Sequence, residues 1–166
     1  MSKTKQITLL GIGIALYFVL GMMVKIPLIS HIQTDLGYIA FGAFLYILGP
    51  VACVVGIIGC LFESLLMSGW VPIGWMVGQA VIGIICGIAY KKIKSVPVNI
   101  GITIFAVFLG VGVCKTVIEC ALYDIPPLIK FPKNLIAFAA DCIPMIAGYL
   151  IGINLNKTKI LTEKGT

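Results

Sequence analysis

The sequence predicts an all-α integral membrane protein, a bundle of six transmembrane helices with both termini on the cytoplasmic side. Three observations carry that expectation. The first is composition: 60% of the 166 residues are hydrophobic and only 11% are charged, with a mean hydropathy of +1.14. A soluble domain averages about 25% charged residues, so this chain has too little polar surface to coat a globule in water. The second is a series of long apolar runs broken by glycine and proline. The third is where the charge sits. The net charge of +6 comes from lysine alone, and the lysines fall between hydrophobic runs. That is the pattern of membrane topology, whereas a nucleic-acid binder would gather them on one face.

The elements follow in order. A membrane-spanning helix takes about 17–25 residues, and the candidate spans are 7–24, 36–48, 51–67, 72–90, 98–122 and 134–153. The first begins like a signal peptide but continues to Val24 without a small-residue cleavage site, so it reads as a retained helix. The second is short. Gly49-Pro50, the 69–72 stretch, Pro97 and Pro126-Pro127 mark the breaks, because proline cannot donate into a helix and disfavours helix in the residue before it. The expected organisation is one transmembrane domain over 1–166. Lys3 and Lys5, then Lys91, Lys92 and Lys94, then Lys157, Lys159 and Lys164 share one side of a six-span bundle, which is the cytoplasmic one by the positive-inside rule. Lys25, Lys130 and Lys133 occupy the other side, and Lys115 lies within a span. Small residues four apart, Gly11/Ala15, Gly74/Gly78, Gly83/Gly87 and Gly148/Gly152, form flat strips where helices approach closely.

Charged residues inside apolar spans are costly and point to function. At 1.5 Å per residue, Lys115 lies about 25 Å and Glu119 about 30 Å along the fifth span, near its outer end. Glu63 falls in the outer third of the third span, and Asp141 about 10 Å below the outer start of the sixth. Lys115 and Glu119 are either a structural i, i+4 pair or ligand contacts. Glu63 and Asp141 have no sequence-local cation and need a partner from another helix or a ligand. Trp70 and Trp75 flank the outer loop, as an interfacial belt or as a stacking wall for a flat ligand. Gln33, Asp35, Ser64, Ser68, Gln79 and Asn134 add polarity, and His31 sits in the first outer loop as a solvated residue or lid contact. The candidate binding set is Glu63, Trp70, Trp75, Gln79, Lys115, Glu119, Asn134 and Asp141, an apolar-walled site with convergent polar groups. Three carboxylates against one lysine suit a ligand rich in N–H donors.

Other chemistries find no support. The six cysteines lie inside apolar runs without a CxxC spacing and read as small hydrophobes, with no metal and no disulfide assigned. A phosphate-binding G-x-x-x-x-G-K-[ST] loop, HExxH and GxSxG are all absent. The chain is therefore expected to be no enzyme, with no catalytic residues and no cofactor of its own.

Over nearly its whole length the chain resembles the substrate-binding S components of energy-coupling factor (ECF) vitamin transporters. The likeness is carried by "GIGIALYFVLGMMVKIPL", "LGYIAFGAFLYILGPVACVVGIIGCLFESLL", "GWMVGQAVIGIICGIAYKK" and "KTVIECALYDIPPLIKFPKNLIAFAADCIPMIAGYLIG". The resemblance implies a bacterial plasma-membrane protein with an outward-opening pocket built from helices 4 to 6 and capped by the first outer loop. Its cargo would be a small flat micronutrient, such as a vitamin, a thiamine precursor or a queuosine-precursor-like heterocycle. The resemblance also implies docking onto a transmembrane coupling subunit through small residues of helix 1. Gly11 and Ala15 match that spacing, with glycine in place of the family's first alanine. Two partner ATPase subunits would use the ATP, and no nucleic acid is involved. The alternatives are a proton-coupled secondary transporter and a membrane-embedded enzyme using Glu63 and Asp141 as acid and base.

Overall fold

The computed structural model describes residues 2–23, 25–29 and 32–157, with the backbone alone at 25–29, 32 and 33; His31, Lys159 and Lys164 lie outside the described residues. Among the described residues the regular structure is helical apart from one hairpin. Helix α1 (Lys3–Met23) leads into strands β1 (Lys25–Ile29) and β2 (Ile32–Asp35), followed by α2 (Gly37–Leu48), a 3-10 turn (Gly49–Ala52), α3 (Cys53–Ser68) and α4 (Ile73–Lys92). Then come α5 (Val96–Val107), a π-helical stretch (Phe108–Lys115), α6 (Thr116–Tyr123) and α7 (Pro127–Lys157).

Among the described residues, five helical stretches are long and apolar enough to cross a membrane: Lys3–Met23, Gly37–Ser68, Ile73–Lys92, Val96–Tyr123 and Pro127–Lys157. The count differs from six because the 3-10 turn keeps α2 and α3 joined without a non-helical gap. Gly49 breaks their direction with φ +73°, a backbone state that glycine adopts without steric cost. Alone, the 12 residues of α2 span about 18 Å, short of the roughly 30 Å hydrocarbon core. The last helix departs further from expectation. It begins at Pro127 rather than at 134, since a proline in the first turn gives up only an N–H that has no helical partner. Asp141 is therefore about 21 Å from the start of its helix, not 10 Å. The hairpin is a second departure. Its strands pair antiparallel, with Lys25 opposite Asp35 and Ile26 opposite Thr34, in a segment read from sequence as a loop.

The core is aromatic and aliphatic: Tyr17, Tyr38, Phe41, Leu45, Val55, Ile82, Met145 and Tyr149 are all fully buried. Exposed apolar side chains such as Ile7, Leu66, Ile104 and Ile143 cover the outside, as a surface facing hydrocarbon requires. Backbones meet where side chains are missing. A Cβ on Gly42 would sit 2.5 Å from the Met145 carbonyl oxygen, and Gly148 faces the Ile39 carbonyl oxygen. These contacts lock α2 against α7 and so fix Asp141 relative to the β2–α2 corner. Gly11 is different: nothing lies within 4 Å of its missing Cβ, and Ala15 on the same face is exposed as well.

Candidate functional site

A cavity of about 180 Å³ opens among α1, β2, α3, α4 and α7, lined by Tyr17, Thr34, Asp35, Cys60, Glu63, Ser64, Trp75 and Asp141. Local geometry explains who reaches it. Cys60, Glu63 and Ser64 stand at i, i+3 and i+4 on α3 and therefore share one helix face. Asp35 ends β2, where its Oδ1 accepts a 2.7 Å hydrogen bond from the Gly37 N–H. An aspartate bonding the backbone two residues on is a turn-forming arrangement, and it starts α2. The other oxygen, Oδ2, accepts the Tyr17 hydroxyl at 2.8 Å. Gln79 Nε2 in turn donates to the Tyr17 oxygen at 3.1 Å, tying α4 to α1 and β2. Near Gly21, Glu63 Oε2 and Asp35 Oδ1 converge: both lie within 3.0 Å of the point where a Cβ would stand. A side chain there would collide with the two carboxylates.

Asp141 is the exceptional member. It is 1% exposed and lines the cavity. Yet its Oδ2 has no hydrogen-bond partner among the described residues. A buried acceptor left unpaired costs free energy, the more so for a carboxylate.

Beside the cavity lies a second polar group of a different kind. Lys115, 6% exposed, donates to Asn134 Oδ1 at 2.7 Å and stands 3.7 Å above the Trp75 ring centre. Its Nζ is 3.8 Å from Glu119 Oε1. Asn134 Nδ2 donates to the Thr116 hydroxyl at 2.9 Å and reaches Glu119 Oε2 at 3.4 Å. Lys130 completes the set, 3.1 Å from the same Glu119 oxygen. The π-helical stretch ends at Lys115. Its wider turn rotates Lys115, Thr116 and Glu119 relative to α5, and such insertions often mark functional segments.

Of the eight binding candidates read from sequence, Glu63, Trp75 and Asp141 line the cavity. Gln79 supports it through Tyr17. Lys115, Glu119 and Asn134 form the neighbouring network, with Trp75 joining the two groups. Trp70 is not brought to the site: it is 48% exposed and packs edge-on against Tyr123 at 5.3 Å between ring centres. The reason is Gly69, whose φ of +72° ends α3 and lets the chain leave the bundle before Trp70. The third acid in the cavity is Asp35 rather than Glu119. Sequence reasoning missed Tyr17, Thr34 and Cys60 as lining residues, and Lys130 as the partner of Glu119. Tyr17 carried one usable signal, a hydroxyl in the middle of an otherwise apolar first span. Among the described residues, no three His, Cys, Asp or Glu side chains gather to hold a metal ion.

Comparison with known proteins bears on this geometry. The family model described as the S component of an ECF-type riboflavin transporter matches residues 1–161. A UPF0397 protein of Streptococcus thermophilus (strain ATCC BAA-491 / LMD-9) is 28% identical over 92 residues, covering 55% of this chain and 51% of that protein. One from Clostridium perfringens (strain ATCC 13124) is 31% identical over 94 residues, covering 54% and 50%; the matched part of the chain thus spans about half the length of these curated relatives. A UPF0397 protein of Enterococcus faecalis (strain ATCC 700802 / V583) is 26% identical across 99% of this chain and 95% of its own length. In fold, the chain is similar to the crystal structure of the S-component for biotin from an ECF-type ABC transporter, with a TM-score of 0.66, 18% identity and 95% of each chain covered. Family and fold are those of transporter S components, not of enzymes. This multi-pass chain, with its acid-lined cavity, belongs to the family of ECF-type riboflavin transporter S components.

Proposed function

We propose that the protein is the substrate-capture subunit of an ATP-driven ECF importer in a bacterial plasma membrane, taking up a small flat micronutrient from outside. With α2 and α3 as separate passes the chain crosses six times and both termini face the cytoplasm. A transmembrane coupling subunit and two ATPase subunits supply the energy. The observation that carries the reading is the cavity itself: three acids from β2, α3 and α7 around a space walled by Trp75 and Tyr17, in a chain of S-component family. Glu63, Asp141 and Trp75 contact the cargo, Gln79 orients Tyr17, and the group of Lys115, Glu119 and Asn134 holds the neighbouring wall. Gly11 and Ala15, open on the outside of α1, form the strip on which the coupling subunit packs.

The test is mass spectrometry of small molecules that co-purify with the detergent-extracted protein. A heteroaromatic compound should be found with the wild type and lost with Glu63→Gln and Asp141→Asn. Retention of the compound by both variants would remove the cavity from the reading. Uptake into proteoliposomes by this chain alone, driven by a proton gradient, would overturn the importer assignment. Ala15→Leu should abolish co-purification with the coupling subunit and leave ligand binding unchanged.

A further inference from the structure

We propose that the end of the bundle away from the cavity carries a second binding site, a basic pocket that takes the phosphate of an anionic lipid headgroup. The inference goes beyond the capture reading and uses none of its residues. Trp75 of the cavity and Tyr90 of this pocket stand near opposite ends of α4, about 22 Å apart along the helix.

The pocket forms where α2 and α4 end, α5 begins and α7 reaches Lys157. It holds about 260 Å³, and Tyr46, Tyr90 and Tyr149 line it together with Lys94 and Lys157. Tyr149, Ile153 and Lys157 are spaced four apart, so one face of α7 supplies all three, over about 12 Å of helix. Tyr90 and Tyr149 are buried, whereas both lysines are exposed; the tyrosines are the floor and the lysines the rim. That floor is held in place by its own contacts. The Tyr90 and Tyr149 rings lie 4.3 Å apart, and Tyr46 packs edge-on against Tyr149 at 5.8 Å. The Tyr90 and Thr103 hydroxyls share a 2.6 Å hydrogen bond. Asn99 Nδ2 donates to the Tyr149 oxygen at 2.9 Å and to the Ile93 carbonyl at 2.8 Å, which ties the α4–α5 connection to α7.

Charge sign follows from the lining, which contributes two lysines and no acid among the described residues. Neither lysine pairs with a carboxylate there. The described acid that precedes Lys157 on its own helix is Asp141, about 24 Å back along α7. A rim of uncompensated ammonium groups favours an anion, and a phosphate accepts charged N–H donors strongly. Position decides where that phosphate comes from. Helices α4, α5 and α7 belong to apolar stretches that stop at this level, so the rim stands where headgroups lie, the depth that lysine and tyrosine favour. Basic pockets between membrane helices are a recurrent headgroup site, above all on the cytoplasmic side, and the topology proposed above puts this end there. Ile93, Val96 and Ile153 give the pocket an apolar side, which a lipid's glycerol and first methylenes can cover and a free phosphate cannot. Size agrees: the space falls below the roughly 300 Å³ at which pockets for drug-sized ligands begin, which suits a headgroup rather than a whole cofactor.

The experiment titrates three probes by calorimetry into the full-length protein in a non-ionic detergent: dihexanoyl phosphatidylglycerol, dihexanoyl phosphatidylcholine and inorganic phosphate. Phosphatidylglycerol should bind at least tenfold more tightly than either of the others. Lys94→Gln and Lys157→Gln should each weaken it about fivefold, and the double variant at least tenfold. Lys94→Arg/Lys157→Arg keeps the charge and should keep the preference. The control is Lys3→Gln/Lys92→Gln, which removes the same charge from exposed lysines outside the lining and should leave affinity within twofold. An equal loss in that control would mean diffuse surface attraction and overturn the pocket. Equal affinities for the two lipids would overturn the charge assignment. Inorganic phosphate binding as tightly as phosphatidylglycerol would overturn the lipid as its source. Each of these failures leaves the capture reading standing.

Discussion

Two of the polar groups inside the bundle, the cavity and the network beside it, adjoin yet are built on opposite plans. In the network on the π-helical stretch, α6 and α7, each charged group has a partner: Lys115 has Asn134 and Glu119, Glu119 has Lys130 as well, and Asn134 bridges to Thr116. In the cavity, Asp35 is anchored by Tyr17 and Gly37, but Asp141 keeps an oxygen without a partner among the described residues. Both groups are buried, and burial penalises unpaired charge in either place. The difference lies in what completes them. The network is closed by the protein's own side chains and therefore stabilises the fold. The cavity is left open on one side, a stability cost that the fold tolerates where an occupant can offset it. Trp75 belongs to both, with Lys115 over its ring and its side chain in the cavity lining.

The contrast is broken most severely at Lys115. Lys115→Met removes the donor to Asn134 and one of two cations beside Glu119. Removing one partner of a buried pair costs about 3–5 kcal/mol, and the surviving Lys130 contact places the expected loss near the lower bound. Thermal unfolding in detergent checks this, with an unchanged midpoint counting against a structural role. A double-mutant cycle with Glu119→Gln should return a coupling of about 0.5–3 kcal/mol, as expected of residues within one network.

The next effect has the opposite signature. Asp141→Asn replaces a buried carboxylate by a neutral amide of the same shape. The unfolding midpoint should hold or rise, while binding of the co-purified ligand falls at least tenfold. A midpoint drop comparable to that of Lys115→Met would show that Asp141 is a fold-stabilising partner, and the two regions would cease to differ in kind.

How far this contrast was legible in the sequence depends on the residue. Intramembrane charge is conspicuous in an apolar chain, so Glu63, Lys115, Glu119 and Asp141 stood out at once. The i, i+4 relation of Lys115 and Glu119 needed only helical periodicity. What periodicity could not supply was rotation and depth. The π-helical stretch changes the phase of everything after Phe108, and its glycines have no pattern that sets it apart from ordinary helix. Starting α7 at Pro127 rather than 134 brings Lys130 onto the helix beside Glu119 and sinks Asp141 deeper. Asp35 was visible as a polar loop residue, but its place in the cavity depends on a hairpin that alternation alone did not announce. Trp70 and Trp75, five residues apart, looked equivalent; the left-handed turn at Gly69 separates them, and such a turn is seen only in coordinates.

Trp75, as the shared wall, should feel substitution in both regions. Trp75→Leu removes the ring beneath the Lys115 ammonium, a contact worth about 0.5–2 kcal/mol, and one wall of the cavity. A moderate loss of stability together with a several-fold loss of binding is expected. Loss of one property alone would mean that the ring serves a single region.

The smallest effect is expected at Trp70, and it sharpens the comparison by serving as the reference for both. Its indole is half exposed and touches Tyr123 edge-on, a pair worth about 0.5–1.5 kcal/mol beyond the area buried. Trp70→Phe keeps an aromatic ring at that edge, so stability should change by less than about 0.5 kcal/mol, as for most surface substitutions. Ligand affinity should stay within twofold. The variant also leaves Trp75 as the chain's only tryptophan, so its emission reports the cavity alone. In that background, a fluorescence change on adding ligand that survives Asp141→Asn would place the ligand against Trp75 without the carboxylate. A change that disappears would tie the two walls to one occupant. Should Trp70→Phe itself abolish the binding signal, the ligand sits at the outer loop and the cavity beneath it has another purpose.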